Sequence, residues 1–280
     1  MPEYRYDDFW SRMGERYARE DPLGAVCWDG APAWFNRFFA HFQVRAVRAA
    51  LRSTLGDLRR DGRALDLGCG TGRWTRWLDA YWSNPVGVDI SRGMLSAADP
   101  WHPYAQTDVT ALPFRDGTFD FALSVTVLLH LPRDAQGRAI REIARVLKPG
   151  GSFLMLEMVN RVADRAHVFP NAVAAWQSTL RDAGFEVLHT GGEGYAPLLR
   201  AAFAAANRVG GRREGRTDEM KAARSEGAHS SAIGRLPAPA KLAARAAVAA
   251  SYPLEYVLAP LLPDGVALNV CILVRKPAST

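Results

Sequence analysis

The middle of the chain alternates short apolar runs with stretches of helical periodicity. The apolar runs predict strands near residues 63–68, 85–90, 103–107, 119–125, 152–158 and 185–190, with a last strand over 266–275. Alternation at this pitch is typical of a parallel sheet covered by helices on both faces. The predicted fold class is therefore α/β.

The segments that flank this alternation have helical rather than strand periodicity. Residues 1–60 predict two helices that carry aromatic side chains at helical spacing. Such stripes are usually packing surfaces, and the open alternative is a first helix that folds over the site as a lid. Residues 191–265 predict a helical insertion, with a turn over Gly191–Gly194 and a polar, mobile segment at 209–235.

The predicted domain organisation follows from these boundaries. It comprises an N-terminal helical lid (1–60), a core (61–190), a helical insertion (191–265), and a final core strand with its tail (266–280). A long insertion just before a last strand is a natural place for substrate-specific structure.

The most specific pattern stands at the end of the first predicted strand. Asp66 ends the apolar run, and Gly68, Gly70 and Gly72 follow at alternate positions before a helical pattern begins. Glycine permits backbone angles that other residues avoid and lets a turn approach a ligand. The sixth position is Arg73, so the turn fails the dinucleotide fingerprint Gly-x-Gly-x-x-Gly, and it also fails the phosphate-binding P-loop.

Further motifs follow in order. They are Val86–Ile90, Gln106–Val109, Leu112–Phe114 with Phe119–Asp120, and Leu147–Gly151. With the glycine turn they resemble the class I S-adenosylmethionine-dependent methyltransferases, in particular the small-molecule and quinone-type branch. The resemblance covers roughly residues 63–190 and the last strand. It implies a Rossmann-like seven-stranded, mostly parallel sheet with an antiparallel last strand, an N-terminal helical lid and a helical insertion before that strand.

The resemblance also implies S-adenosyl-L-methionine as methyl donor and assigns roles around it. The implied cofactor-binding residues in the turn are Gly68, Cys69, Gly70 and Gly72, with Asp66 for the ammonium group, directly or through water, and Asp89 for both ribose hydroxyls. At the adenine, Asp108 is implied for the amino group, Ile90 for the face of the ring and Val109 for backbone contacts to it, and Ser124 is implied to meet the methionine end through its backbone. For each acid alone, the alternative is a cap or turn residue.

The acceptor side gives fewer signals. His130, Glu157 and Asn160 are the catalytic candidates, since they follow the fourth and fifth predicted strands. A histidine there could serve as a base at neutral pH, or it could cap the next helix or fill a loop. Weaker candidates are His167, Tyr6 and Tyr195. Methyl transfer depends mainly on holding two groups in line, so a catalytic triad or metal site is not required.

Composition and charge limit the classes of partner that we expect for this chain. The chain has 280 residues, 48% of them hydrophobic, a formal charge of +6 and three cysteines without paired or metal-ligand spacing. The start of the chain is unlike a signal peptide, and the apolar stretch 121–132 is too short to span a bilayer. The basic cluster Arg208–Arg224 is interrupted by acids and lacks interleaved aromatic residues. We therefore expect a cytoplasmic enzyme with a small-molecule acceptor, no membrane and no nucleic acid, of open oligomeric state.

The predicted function is transfer of a methyl group to an N or O nucleophile of a small, apolar or ring-bearing metabolite. Two alternatives remain open from the sequence. One is an RNA or protein methyltransferase that uses the basic insertion. The other is a protein that does not transfer the methyl group: either a regulatory or scaffold module that binds S-adenosylmethionine or its demethylated product, or an enzyme that uses the sulfonium differently, for example in an intramolecular cyclisation.

Overall fold

A computed structural model describes residues 5–17, 23, 32–54, 61–159, 167–194, 237–258, 261–264 and 267–278. Several predictions concern other parts of the chain. Asn160, Tyr195 and the segment 209–235 lie outside the described residues, so these predictions stay as they are.

A seven-stranded sheet forms the centre of the protein. Its strands are β1 (Ala64–Leu67), β2 (Val86–Asp89), β3 (Tyr104–Gln106), β4 (Phe119–Val125), β5 (Leu147–Met158), β6 (Glu186–Glu193) and β7 (Asn269–Arg275). Their order across the sheet is β3-β2-β1-β4-β5-β7-β6. The first five strands are parallel, and β7 runs antiparallel to both β5 and β6. The predicted fold class is confirmed.

Helices connect and flank these strands. They are α1 (Tyr6–Tyr17), α2 (Ala33–Thr54), α3 (Arg73–Leu78), α4 (Arg92–Leu95), α5 (Arg133–Val146), α6 (Val173–Asp182) and α7 (Ala238–Leu258), and a 3-10 turn spans Leu128–His130. Among the described residues, none of these helices combines the length and the apolar character needed to cross a membrane.

The central strands of the sheet are buried on both faces, as parallel strands between helical layers are. In β1, Leu65 and Leu67 face one apolar layer, which includes Ile140 and Ile143 of α5. Ala64 faces the other layer, which includes Trp74 of α3. Alternation along β1 therefore points Asp66 toward the α3 side, where its hydrogen-bond partner lies.

The structure corrects the turn predicted at Gly191–Gly194. Gly191 and Gly192 lie inside β6, opposite Cys271 and Val270 of β7. Glycine is disfavoured in strands, but cross-strand pairing at a sheet edge outweighs that local preference. The chain leaves the extended conformation only at Gly194, where φ is +77°.

The chain divides into two compact units. The first holds α1, the whole sheet, helices α3–α6 and α2 from Gln43 onward; the second holds α2 up to Phe42, and α7. In the second unit, Phe38 and Phe42 pack against Tyr252 at ring-centroid distances of 4.9 and 5.3 Å. All site residues discussed below belong to the first unit.

Candidate functional site

The strand order places a crevice at the carboxyl end of β1. Because β2 lies on one side of β1 and β4 on the other, the order of strands reverses there. In open α/β sheets, ligands bind at such a reversal. Ser124 of β4 stands opposite Leu67 of β1 and is fully buried. The turn after β1 therefore opens where the predicted cofactor residues converge.

The glycine turn lies tight against its surroundings. Gly68 and Gly72 have φ of +64° and +79°, which side-chain-bearing residues rarely adopt. A Cβ on Gly68 would run into Val127, and one on Gly72 would come within 3.0 Å of Cζ of Tyr104. Cys69, which is buried, donates its backbone N–H to Val88 of β2 at 2.9 Å. The turn is thus fixed between the ends of β2 and β4.

Asp66 is a buried carboxylate, 1% exposed, at the end of β1. The hydroxyl of Thr75, on α3, donates to its Oδ2 at 2.7 Å. Burial raises the pKa of Asp66 to about 7, although the Thr75 hydrogen bond and the charge of Arg73 act in the opposite direction. An anion that is costly to bury gains most from a cationic ligand, which would restore its charged form.

Asp89, at the end of β2, ties the glycine turn to its own strand. Its two oxygens accept the backbone N–H groups of Gly70 and Ser91, both at 2.8 Å. Burial raises the pKa of Asp89, and these two hydrogen bonds oppose that rise. Each carboxylate oxygen accepts more than one hydrogen bond, so the group keeps capacity for ligand hydroxyls. Ser91 then caps α4 by accepting from Met94 N–H at 3.2 Å.

A cavity of about 670 Å³ opens beside the ends of β2 and β3. Its lining residues come from these strand ends, from the first turns of α1 and from the start of α5, namely Arg5, Tyr6, Asp7, Asp8, Ser11, Ile90, Gln106, Asp108 and Pro132. Ile90 and Asp108, two predicted adenine contacts, thus share one cavity. The side chain of Val109 lies in the core, and the backbone contact with the adenine ring implied for Val109 stays a prediction.

Tyr6 lies in this cavity, beside the acid predicted to accept from the adenine amino group. Its hydroxyl donates to Oδ2 of Asp108 at 2.5 Å, while Thr110 donates to Oδ1 from its N–H and its hydroxyl, both at 2.8 Å. Burial, together with the bond to Asp108, raises the pKa of Tyr6 to about 12. Helix α1 therefore closes directly onto a predicted cofactor residue.

Helix α1 also contacts α4 backbone to backbone. A Cβ on Gly14 of α1 would lie 2.6 Å from the backbone nitrogen of Met94, and one on Gly93 would lie 2.7 Å from that of Glu15. Real Cβ atoms do not approach so closely, so both positions require glycine. The two glycines set the distance between α1 and the helix that follows Asp89.

The placement predicted for Glu157 is wrong. It lies inside β5 rather than past it, and it is fully buried. Its carboxylate accepts the backbone N–H groups of Val127, Leu128 and Leu129, at 3.1, 2.9 and 3.2 Å. Burial raises the pKa of Glu157 to about 8, while these N–H groups act in the opposite direction. Its contacts make it the cap of the 3-10 turn.

His130 ends that 3-10 turn and joins an aromatic cluster. Its Nδ1 donates to the backbone carbonyl of His167 at 2.7 Å, so a neutral ring carries its lone pair on Nε2. Trp10 of α1 meets the ring edge-on at 4.8 Å, and Phe9 stacks on His167 at 4.9 Å. Burial lowers the pKa of His130 to about 4, so the imidazole is neutral at physiological pH.

Comparison with known proteins agrees with this geometry. Residues 65–155 match the family model described as "Methyltransferase domain". The chain is 39% identical over 116 residues to the demethylmenaquinone methyltransferase of Mycolicibacterium paratuberculosis. The aligned region covers 41% of this chain and 49% of that protein. It is also 39% identical over 111 residues to the biotin biosynthesis bifunctional protein BioHC of Cellvibrio japonicus, covering 38% and 22%.

Residues 65–155 form a class I S-adenosylmethionine-dependent methyltransferase domain. The predicted family is confirmed, and with it S-adenosylmethionine as the cofactor that goes with the family. The chain spans half or less of the length of the two curated relatives described above. Among solved structures, the [4+2]-cyclase SpnF has the same fold, with a TM-score of 0.61, 22% identity and coverage of 100% of this chain and 99% of that one.

Three features of the candidate site are not among the predictions from the sequence. They are the Thr75 hydrogen bond to Asp66, the Tyr6 hydrogen bond to Asp108 and the glycine contact between α1 and α4. Only the last had a visible signal. A glycine inside a helix costs about 1 kcal/mol relative to alanine, so Gly14 in the middle of α1 calls for a packing reason.

Proposed function

We propose that this chain is an enzyme that binds S-adenosylmethionine along the carboxyl ends of β1, β2 and β3. The observation that carries the proposal is the pair of buried carboxylates, Asp66 and Asp89, on either side of a glycine turn. Asp66 would hold the ammonium group, Asp89 the ribose hydroxyls, and the turn from Gly68 to Gly72 the methionine portion.

The chemistry of these groups fits the cofactor. A ribose offers hydroxyl donors, and Asp89 retains acceptor capacity beside the turn. The cavity has Ile90 as an apolar surface for a ring and Asp108 as an acceptor for an amino group. Tyr6 already donates to Asp108, so α1 would act as a lid whose hydroxyl shares this carboxylate with the adenine.

We propose methyl transfer to an N or O nucleophile of a small, apolar or ring-bearing molecule. Bound S-adenosylmethionine supplies an electrophilic methyl group. The residues of the chain hold the acceptor in line and exclude water, and His130, neutral at physiological pH, would accept a proton through Nε2. The rings of Phe9, Trp10 and His167 around His130 support an acceptor with an aromatic or otherwise apolar surface.

The relatives support the same class of acceptor. Demethylmenaquinone methyltransferases act, by their name, on a small molecule. A cytoplasmic location and a small-molecule acceptor are part of this proposal, as is a role for Asn160 beside the acceptor.

The experiment follows the transferred methyl group. The protein is incubated with S-adenosylmethionine labelled in the methyl group and with a low-molecular-weight extract, total RNA or a protein mixture. We expect label in the small-molecule fraction and S-adenosylhomocysteine as the nucleoside product. Label in RNA or protein would contradict the small acceptor, and methylthioadenosine without transfer of label would contradict methylation.

A further inference from the structure

A cluster of five polar side chains lies behind the glycine turn, and the proposed function does not use it. We call Arg76, Asp79, Asp99, His102 and Tyr104 the clamp. His102 bridges two carboxylates, with Nδ1 at 2.7 Å from Asp99 and Nε2 at 2.5 Å from Asp79. Asp99 also accepts from the Tyr104 hydroxyl at 2.9 Å and from Arg76 at 3.2 Å.

The clamp holds both ends of the helix that follows the glycine turn. At the start of α3, the Tyr104 ring occupies the space that a side chain on Gly72 would need. At its end, Asp79 is the C-cap residue. Arg76 also donates to the Thr71 carbonyl within the turn, at 3.3 Å. The segment from Thr71 to Asp79 is thus fastened to Asp99 and to β3.

The geometry makes His102 a cation. Ionised carboxylates only accept hydrogen bonds, so both ring nitrogens must carry a proton to bond Asp99 and Asp79 together. The groups that face the ring are these two acids, with Arg76 and Tyr104 one step away. Burial lowers the pKa of His102, but the two carboxylates outweigh burial and raise it above its usual value.

We propose that His102 and Tyr104 are positioning residues for the cofactor turn, and that loss of one His102 proton to solvent loosens this turn. The inference rests on the proposed function, since it assigns a regulation to the same site. A neutral His102 donates only one hydrogen bond, so it releases either Asp79 or Asp99. The released segment then loses more conformational entropy when the turn closes on a ligand, and this weakens binding.

The test measures affinity for S-adenosylhomocysteine by calorimetry between pH 6 and 9.5, in wild type and in His102→Gln. We expect the variant to bind about tenfold more weakly at pH 6, the lower end of the effect of losing one charged hydrogen bond. The two proteins should converge at alkaline pH. The ratio of affinities cancels titration of the ligand and of Asp66, whose charged form, gained as pH rises, acts in the opposite direction.

Further variants separate positioning from folding. Asp79→Asn keeps an acceptor but removes a charge that favours protonated His102. The midpoint, the pH at which the affinity advantage of His102 over its Gln substitution has fallen by half, should therefore be lower when Asp79→Asn is present in both proteins. Tyr104→Phe keeps the ring against Gly72 but loses the Asp99 bond, and it should weaken binding at every pH below the midpoint. His189→Gln, on β6 at the opposite edge of the sheet, should match wild type.

Thermal unfolding without ligand gives an independent readout. The stabilisation from His102 should be complete below about pH 6.5 and be lost as pH rises through the raised pKa of the folded state. A ratio of affinities that stays constant with pH, or an unmoved midpoint in Asp79→Asn, overturns the clamp alone. Absence of binding by wild type at every pH overturns the proposed function itself.

Discussion

The two halves of the carboxyl edge of the sheet are built differently. Over β1, β2 and β3, the candidate residues follow strand ends within 64–110, and short motifs carry them. Over β4 and β5, the side chains around His130 come from α1, from the 3-10 turn and from the segment at His167. The glycines and strand-end acids of the proposed cofactor half are therefore local in sequence, whereas the side chains of the proposed acceptor half come from distant segments.

Buried carboxylates show the same contrast. Asp66, second to last in β1, and Asp89, last in β2, accept hydrogen bonds from the glycine turn and from the starts of α3 and α4. Glu157, also second to last in its strand, directs both oxygens at backbone N–H groups of the loop after β4. The hydrogen-bond partners of each acid, rather than its position in its strand, therefore distinguish Asp66 and Asp89 from Glu157.

The strongest way to break this contrast is Glu157→Ala. Removing the carboxylate leaves three backbone N–H groups of the 3-10 turn without their acceptor. We expect the free energy of unfolding to fall by about 3–5 kcal/mol, since each buried unsatisfied donor costs about 1–3 kcal/mol. Chemical denaturation measures the change, and Glu157→Gln, which keeps one acceptor oxygen, should lose less than half as much.

Glu186→Ala is the matched control, because Glu186 is exposed at the start of β6. It should change the free energy of unfolding by less than about 0.5 kcal/mol. A stable Glu157→Ala protein that has lost only turnover would show instead that Glu157 acts on the acceptor.

A second prediction concerns the protonation of His130, on the proposed acceptor side. Its pKa is lowered to about 4 in the folded state, so folding stability from the neutral ring is complete above about pH 6.5 and is lost as pH falls toward 4. We expect a loss of about 2–3 kcal/mol over that interval. Urea unfolding at several pH values measures it in wild type and in His130→Gln.

The free energy of unfolding of His130→Gln should fall less steeply toward acid pH. His41→Gln, at an exposed position in the second unit, should keep the pH dependence of wild type. If the loss of stability at acid pH is the same in His130→Gln as in wild type, the ring of His130 is not held neutral by burial.

A smaller effect tests whether α1 belongs with the cofactor half. Gly14→Ala forces α1 away from Met94, and the Tyr6 bond to Asp108 should weaken with it. We expect a net loss of about 1–2 kcal/mol in unfolding free energy, since overpacking exceeds the gain in helix propensity. Hydrogen exchange should rise in α1 specifically.

Gly137→Ala is the control, because a Cβ there meets only the Arg141 side chain at 3.5 Å, so it should stabilise α5 slightly. Equal effects of the two substitutions would remove the close contact between α1 and α4 from the account.

The same difference between local and distant contacts explains how much of the fold and of the candidate site the sequence predicts. The strand ends at Asp66 and Asp89 and the sheet around them are predictable, because alternation and glycine spacing are local signals. The strand over Gly191 and Gly192 was missed, since its hydrogen bonds come from β7, almost 80 residues away. The hydrogen bonds of Glu157 were not predicted, because its partners lie on a loop after a different strand.

The donors to Asp66 and Asp108 were missed for a related reason. Thr75 and Tyr6 are ordinary helix residues in the sequence, and only packing brings their hydroxyls to the two carboxylates. Sequence patterns therefore predict which acids lie near strand ends. They do not predict which neighbours satisfy those acids.

The most direct test of the central claim is a calorimetric titration of S-adenosylhomocysteine into wild type and Asp89→Ala. We predict saturable binding to wild type, weakened in the variant by about 1.5–3 kcal/mol through the lost charged hydrogen bonds. Gly70 and Ser91 lose their acceptor in the variant, so circular dichroism must first show that it is folded. Absence of binding to wild type, or equal affinity in a folded variant, would contradict the account.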